Sequence, residues 1–226
     1  MRIASFLVLI VSLFFTKSTL GQDVLQPVQK GWERIYIKDV GYFDLPPTME
    51  IQEGKYKEFA DDMRQIHGLD APRIVAQQIG VNDFNSEGLK KYSRIILETT
   101  MGEPDEYYRS NFEKSFYSPQ ELLLTENLMN DLLKNAVLNS SDVLEGRVKI
   151  IQWDPVKIEK INGQFCFHIS CRRQLLDRPI VSYNKYLFQN FDRMYSLTLE
   201  YRENESDLWK ADFEKVLDSF RITNLK

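Results

Sequence analysis

The stretch Gln164–Arg173, QFCFHISCRR, places two cysteines and one of the chain's two histidines within ten residues. Those residue types could serve as a disulfide, as metal ligands or as a thiol nucleophile beside an imidazole base. Spacing decides among them. Asn162-Gly163 just before the stretch is a two-residue hairpin signal, so the pattern predicts a strand paired antiparallel with the residues preceding Asn162. Side chains in a strand alternate between faces. Cys166 and Cys171 then point opposite ways and lie about 17 Å apart along the strand, against the less than about 7 Å between Cα atoms that a bridge requires. Both thiols are therefore expected to be free.

Pairing across the turn sets Ile158 opposite Phe167 and Val156 opposite Ile169, with Phe165 and Cys171 continuing an apolar row. On the other, polar face Cys166 lies opposite Glu159, His168 opposite Lys157 and Arg172 opposite Trp153, provided Pro155 does not shift the pairing. Cys166 and His168 share that face and form the one candidate nucleophile–base pair. Glu159 disfavours a thiolate there and no third group orients the imidazole, which makes this a structural strand first and a catalytic one second. No catalytic residue is assigned. His67 and His168 are too few for a histidine-rich metal site, and no cofactor motif occurs: phosphate-loop, dinucleotide, H-E-x-x-H and G-x-S-x-G patterns are all absent. Asp83, Asn85, Glu87 and Gly88 match the first half of a calcium loop, but Arg94 stands where its bidentate glutamate belongs, so DFNSEG reads as a polar turn.

The elements that hold this strand follow from periodicity. Trp32–Pro46 predicts two short strands turning near Asp39 and Gly41. Tyr56, Phe59, Ala60, Met63 and Ile66 recur at helical spacing over Lys55–His67, with Gly68 and Pro72 as stop signals. Arg73–Gly80 and the β-branched Tyr92–Met101 read as strands. Ser118-Pro119-Gln120-Glu121 is a capping box opening a helix to about Leu138, whose Leu122, Leu124, Leu128, Met129, Leu132, Leu133 and Ala136 predict a core-facing stripe. Arg147–Ile161, Gln164–Arg173, Pro179–Gln189 and Arg193–Arg202 complete an antiparallel set. A last helix from about Ser206 carries Trp209, Phe213, Val216, Leu217 and Phe220 on one face. The class is α+β, an antiparallel sheet with helices packed on it.

Met1-Arg2, the apolar run Ile3–Phe15 and the small residues of TKSTLG read as a secretory signal, with cleavage after Gly21. Residues 22–226 are expected to form a single domain. The chain has 29 basic and 33 acidic residues. Losing Arg2 and Lys17 with the signal leaves 27 against 33, a formal charge of −6, which argues against nucleic acid or anionic membrane as the main partner. No membrane span is expected after cleavage. The expected location is periplasmic or extracellular, in a bacterial envelope, where the acceptor patterns at Asn139 and Asn204 are loop residues rather than glycosylation sites.

VGYFDLPPTMEI (Val40–Ile51) and YSLTLEYRENESDLWKADFEKVLDSFRI (Tyr195–Ile222) resemble the opening and the end of the PsbP-like family, named for a subunit of the oxygen-evolving complex. IVAQQIGVN and KYSRIILETT sit where that family has its middle strands, whereas Lys55–His67 and the capped helix depart from it. The resemblance implies an α/β/α sandwich and a binding or assembly role, and it carries over no catalytic residue. Three functions stay open on these residues: an exported non-catalytic binding or assembly module, an envelope thiol enzyme or hydrolase using Cys166 and His168, and a small-molecule-binding protein with its pocket between sheet and helix. The candidate partners are an envelope protein or a small ligand. The candidate binding surface is the polar sheet face, with Trp153, His168 and Arg172, or the aromatic connection Gly102–Tyr117, with Tyr107, Tyr108, Arg109 and Phe112.

Overall fold

A computed structural model describes residues 26–66 and 73–225; the signal segment Met1–Gly21, the helix-end residue His67 and the stop signals Gly68 and Pro72 lie outside them. In chain order the elements are β1 (Glu33–Ile37), β2 (Gly41–Leu45), β3 (Met49–Ile51), α1 (Gly54–Ile66), β4 (Arg73–Gln78), α2 (Ser86–Lys90), β5 (Ser93–Met101), α3 (Pro119–Leu138), α4 (Ser141–Leu144), β6 (Val148–Trp153), β7 (Lys157–Ile161), β8 (Gln164–Leu175), β9 (Val181–Asn190), β10 (Arg193–Arg202), α5 (Ser206–Ser219) and β11 (Arg221–Ile222). A large antiparallel sheet runs β3-β4-β5-β10-β9-β8-β6, with β7 also paired to β8, and a small one runs β1-β2-β11. Gly41 is required where β2 meets β11, because a Cβ there would stand 1.8 Å from the Arg221 carbonyl oxygen. Among the described residues no helix is long and apolar enough to cross a membrane.

Both faces of the large sheet are covered. On one, α5 lays Trp209, Phe213, Val216 and Phe220 between the small sheet and Ile95, Leu97, Leu197, Leu199 and Phe188. The 4-3 spacing of Trp209, Phe213 and Val216 puts them on one helix stripe, and Phe220, the residue that ends α5, continues it. On the other face, Phe112, Val156, Phe167, Ile169 and Leu187 form a second core, with Leu122, Met129 and Leu133 of α3 against it. The architecture is α+β, a mostly antiparallel sheet between helical layers.

The α3 stripe departs from expectation. Its capping box is in place, with the Ser118 hydroxyl accepting from the Glu121 N–H at 3.3 Å and the Glu121 carboxylate accepting from the Ser118 N–H at 2.7 Å. Yet no residue of α3 is buried, and Leu124, Leu128 and Leu132 are 60–63% exposed. The cause is where α3 is tethered. Glu126 accepts from the Ile158 N–H at 2.8 Å, and Asn130 accepts from the Trp153 indole at 2.9 Å and the Val156 N–H at 3.3 Å. These bonds satisfy the backbone where β6 gives way to β7 and hold the helix over that rim instead of seating it across the sheet.

Two further differences concern strands. Arg147–Ile161 is not continuous: Asp154-Pro155 divides it into β6 and β7, since proline cannot donate to the ladder. The register slips by one across that break, so Arg172 faces Gln152 and Trp153 faces Cys171, and a further irregularity lies between Ile150 and Gln152. Ladder pairing of β7 ends at Lys157, leaving Val156 unpaired with Ile169. The short strand β3, directly after Pro46-Pro47, pairs with β4 and was not expected.

Candidate functional site

The hairpin forms as its sequence dictates. Asn162 and Gly163 have φ of 49° and 85°, the left-handed pair that a tight primed turn needs, and Ile158, Glu159 and Lys157 face Phe167, Cys166 and His168. Both cysteines are free. The face carrying Cys166 is not the polar outside of the sheet, however. Cys166 is 2% exposed and belongs to the core beneath α5, because α5 and the small sheet cover that side. Burial, reinforced by the Glu159 carboxylate, pushes its thiol up to about 12, and burial holds Cys171 at about 11. A catalytic thiol needs the opposite conditions. His168 is occupied as well: its ring stacks on Tyr186 at 4.4 Å, Nδ1 lies 2.8 Å from Glu159 Oε1 and Nε2 lies 3.1 Å from Asn184 Oδ1. The hydrogen bond from His168 lowers the Glu159 pKa.

The other sequence-selected residues do not converge on one surface. Phe112 is buried in the α3-side core with Phe165 and Phe167, and Trp153 packs beside it. Tyr107 makes an isolated bridge to Phe191, while Tyr108 and Arg109 approach the Phe191 ring at 5.6 and 6.0 Å. Tyr108 remains 61% exposed. Arg172, on the α5 side, is paired to Glu203. In DFNSEG, Asn85 caps α2 by accepting from the Glu87 N–H at 2.9 Å, and Glu87 pairs with Lys90.

What does converge lies under α3 and α4. Because α3 is held toward the rim, a cleft of about 380 Å³ remains between the helices and the sheet. Leu133, Ala136, Val137 and Val143 line its helical side, and Val148, Ile150, Ile169, Leu187 and Met194 line the sheet side. Ligand sites of this kind run from about 300 to 1,000 Å³ with mostly apolar walls. At one end the same sheet face turns polar. Glu200, 1% exposed, accepts from the Tyr92 hydroxyl and pairs with Arg173, whose guanidinium lies 4.3 Å over the Tyr183 ring. Burial raises the Tyr92 and Tyr183 pKa values, Tyr183 to about 12, so both phenols stay protonated at neutral pH.

A wider groove of about 460 Å³ runs past Pro47, Ile79, Gly88 and Leu208. Its polar groups are committed elsewhere: the Gln78 amide donates to the Gly88 and Lys91 carbonyls and Asn85 caps α2. The residues of the α3-side cleft, Arg173 and Tyr183 among them, and the Glu200 that holds Arg173 escaped sequence reasoning. The available signal was their parity, since Arg173 and Glu200 occupy positions whose faces are covered by helices.

Neither a family model nor a curated protein matches the chain. Among solved structures, the chain is similar to the solution structure of cyanobacterial PsbP from Synechocystis sp. PCC 6803, at 12% identity and a TM-score of 0.47 over 88% of this chain and 98% of that one. The likeness is one of fold. It meets the PsbP-like resemblance seen in Val40–Ile51 and Tyr195–Ile222 at that level. A crystal structure from Bacteroides thetaiotaomicron VPI-5482 is similar at 8% identity and a TM-score of 0.41, over 80% of this chain and 44% of that one.

Proposed function

We propose that the chain is an exported, non-catalytic binding module whose ligand enters the cleft between α3–α4 and the large sheet. Export rests on the secretory pattern of Met1–Gly21. The absence of catalysis rests on chemistry: the one candidate nucleophile, Cys166, is buried with its thiol pushed up to about 12. The observation that carries the reading is the cleft itself, with apolar walls contributed by two layers that fail to close on each other. A core of this size ordinarily packs without such gaps, and the side-chain clamps of Glu126 and Asn130 keep this one open.

A neutral fluorescent probe, N-phenyl-1-naphthylamine, tests the reading. Saturable fluorescence enhancement is expected with the purified protein. Ala136→Phe, which fills the cleft from the helical side, should remove it while leaving the circular dichroism spectrum unchanged. Enhancement that is non-saturable, or indifferent to Ala136→Phe, would remove the cleft as the working site.

A second reading, a module that docks a partner protein in the envelope, is favoured by the exposed aromatics of the Gly102–Tyr117 connection, Tyr108 at 61% and Phe116 at 71%. It predicts that Tyr108→Ser with Phe116→Ser abolishes cross-linking to an envelope protein without altering probe binding.

A further inference from the structure

The apolar cleft opens at its polar end into a second cavity of about 250 Å³, and Asp142, Val148 and Arg173 line both. Arg173, Arg178 and Arg202 reach this second cavity from β8, from the β8–β9 turn and from β10. Two of the three are held in place. Arg173 is pinned between Glu200 and the Tyr183 ring, and Arg202 donates to the Lys90 carbonyl and lies 3.2 Å from Glu205. Their charges are each met by a carboxylate. Asp142, the acid on the wall, is engaged at 2.9 Å by Arg147, which also meets Glu145 at 3.2 Å. Arg178 is the exception: it is exposed, and among the described residues its guanidinium has neither a carboxylate nor a carbonyl partner. The cavity therefore holds one guanidinium outside any ion pair, beside two fixed guanidinium groups, at the mouth of an apolar cleft.

We propose that the two cavities form one site for an amphipathic carboxylate, with its hydrocarbon part in the cleft and its headgroup at Arg178, flanked by Arg173 and Arg202. The proposal rests on the cleft reading above and gives it a ligand class. The guanidinium fork matches a carboxylate with two parallel donors, whereas an uncharged headgroup gains nothing from the unpaired guanidinium. The apolar walls of Val137, Val143, Ile150 and Leu187 supply area-dependent affinity that a small hydrophilic anion cannot use.

Isothermal titration of the purified protein with octanoate, octanol and acetate separates the parts. Octanoate is expected to bind about tenfold more tightly than octanol, a difference of about 1.4 kcal/mol, and acetate not measurably. Arg178→Gln should bring octanoate to the level of octanol and leave octanol unchanged, and Ala136→Phe should abolish both. Raising the salt concentration should weaken octanoate alone, since Arg178 is exposed to screening. Equal affinities for octanoate and octanol, with Arg178→Gln silent and Ala136→Phe still effective, would overturn the carboxylate assignment and leave the cleft standing. Binding of neither compound, together with no probe enhancement, would overturn the cleft reading and the ligand class with it.

Discussion

Raising the pH should unfold this protein through its two thiols. Cys166 and Cys171 are 2% and 4% exposed, and burial raises their pKa values to about 12 and about 11, against about 8.5 in an unfolded chain. The sign follows from linkage. A group whose folded pKa is raised keeps its full stabilising contribution below the unfolded value and loses it as pH rises toward the folded one, because the unfolded chain releases the proton first. The limiting slope is about 1.4 kcal/mol per pH unit for each thiol. Between pH 9 and 10, with the unfolded thiols largely ionised, each should withdraw about 1 kcal/mol. Unfolded phenols titrate at about pH 10, so the raised tyrosines Tyr92, Tyr183 and Tyr186 together add about 1 kcal/mol over the same interval. Urea denaturation across pH 7–10 reads the effect directly. The native protein should lose about 3 kcal/mol from pH 9 to 10, Cys166→Ala about 2 kcal/mol, and the double alanine variant only the tyrosines' share of about 1 kcal/mol. Alongside, 4,4′-dithiodipyridine should label both thiols only at the rate of opening. A flat profile, or labelling of native Cys166 within seconds, would refute the burial argument and return weight to a Cys166–His168 enzyme.

Three further outcomes follow from the same structure. Asn130→Ala leaves the Trp153 indole and the Val156 N–H without their acceptor and should cost about 1–3 kcal/mol in urea denaturation, with Trp153 fluorescence moving to longer wavelength. Arg173→Gln strands Glu200 without its cation and should cost about 3 kcal/mol, the low end for a broken buried pair because Arg173 is itself 34% exposed; a loss below 1 kcal/mol would show Glu200 to be satisfied by Tyr92 alone. Glu159, lowered by its bond from His168, contributes stability that is present above about pH 4.3 and lost as pH falls through its folded value. Glu159→Gln should therefore flatten the acid limb of the stability profile.

Local chemistry made much of the fold legible. The Asn162-Gly163 turn fixed the β7–β8 register, the Ser118–Glu121 box fixed the start of α3, and the Trp209/Phe213/Val216/Phe220 spacing fixed the buried side of α5. Each of these depends on neighbours in sequence. What could not be read depends on neighbours in space. Cys166 looked half exposed because a strand pattern does not say whether a helix covers its polar-seeming face; α5 and the small sheet do. Leu124, Leu128 and Leu132 looked like core because their spacing matches a stripe, but Asn130 and Glu126 bind the β6–β7 backbone and rotate that stripe outward. Pro155 carried a warning of the shift that moved Arg172 to Gln152, and the direction of that shift came only with the structure. The arginine end of the cleft was invisible because Arg173, Arg178 and Arg202 come from separate strands and a turn. Their one trace was charge at positions of inward parity, as with Glu200 in LTLEYR.

The central claim, that the space under α3 and α4 receives a ligand, is tested most directly by mapping amide and methyl chemical shifts during titration with octanoate. Saturable shifts confined to Val137, Val143, Ile150, Leu187 and the backbone around Arg178 are the expected result. Shifts confined instead to the groove at Ile79 and Gly88, or none at concentrations well above micellar-free millimolar octanoate, would contradict it.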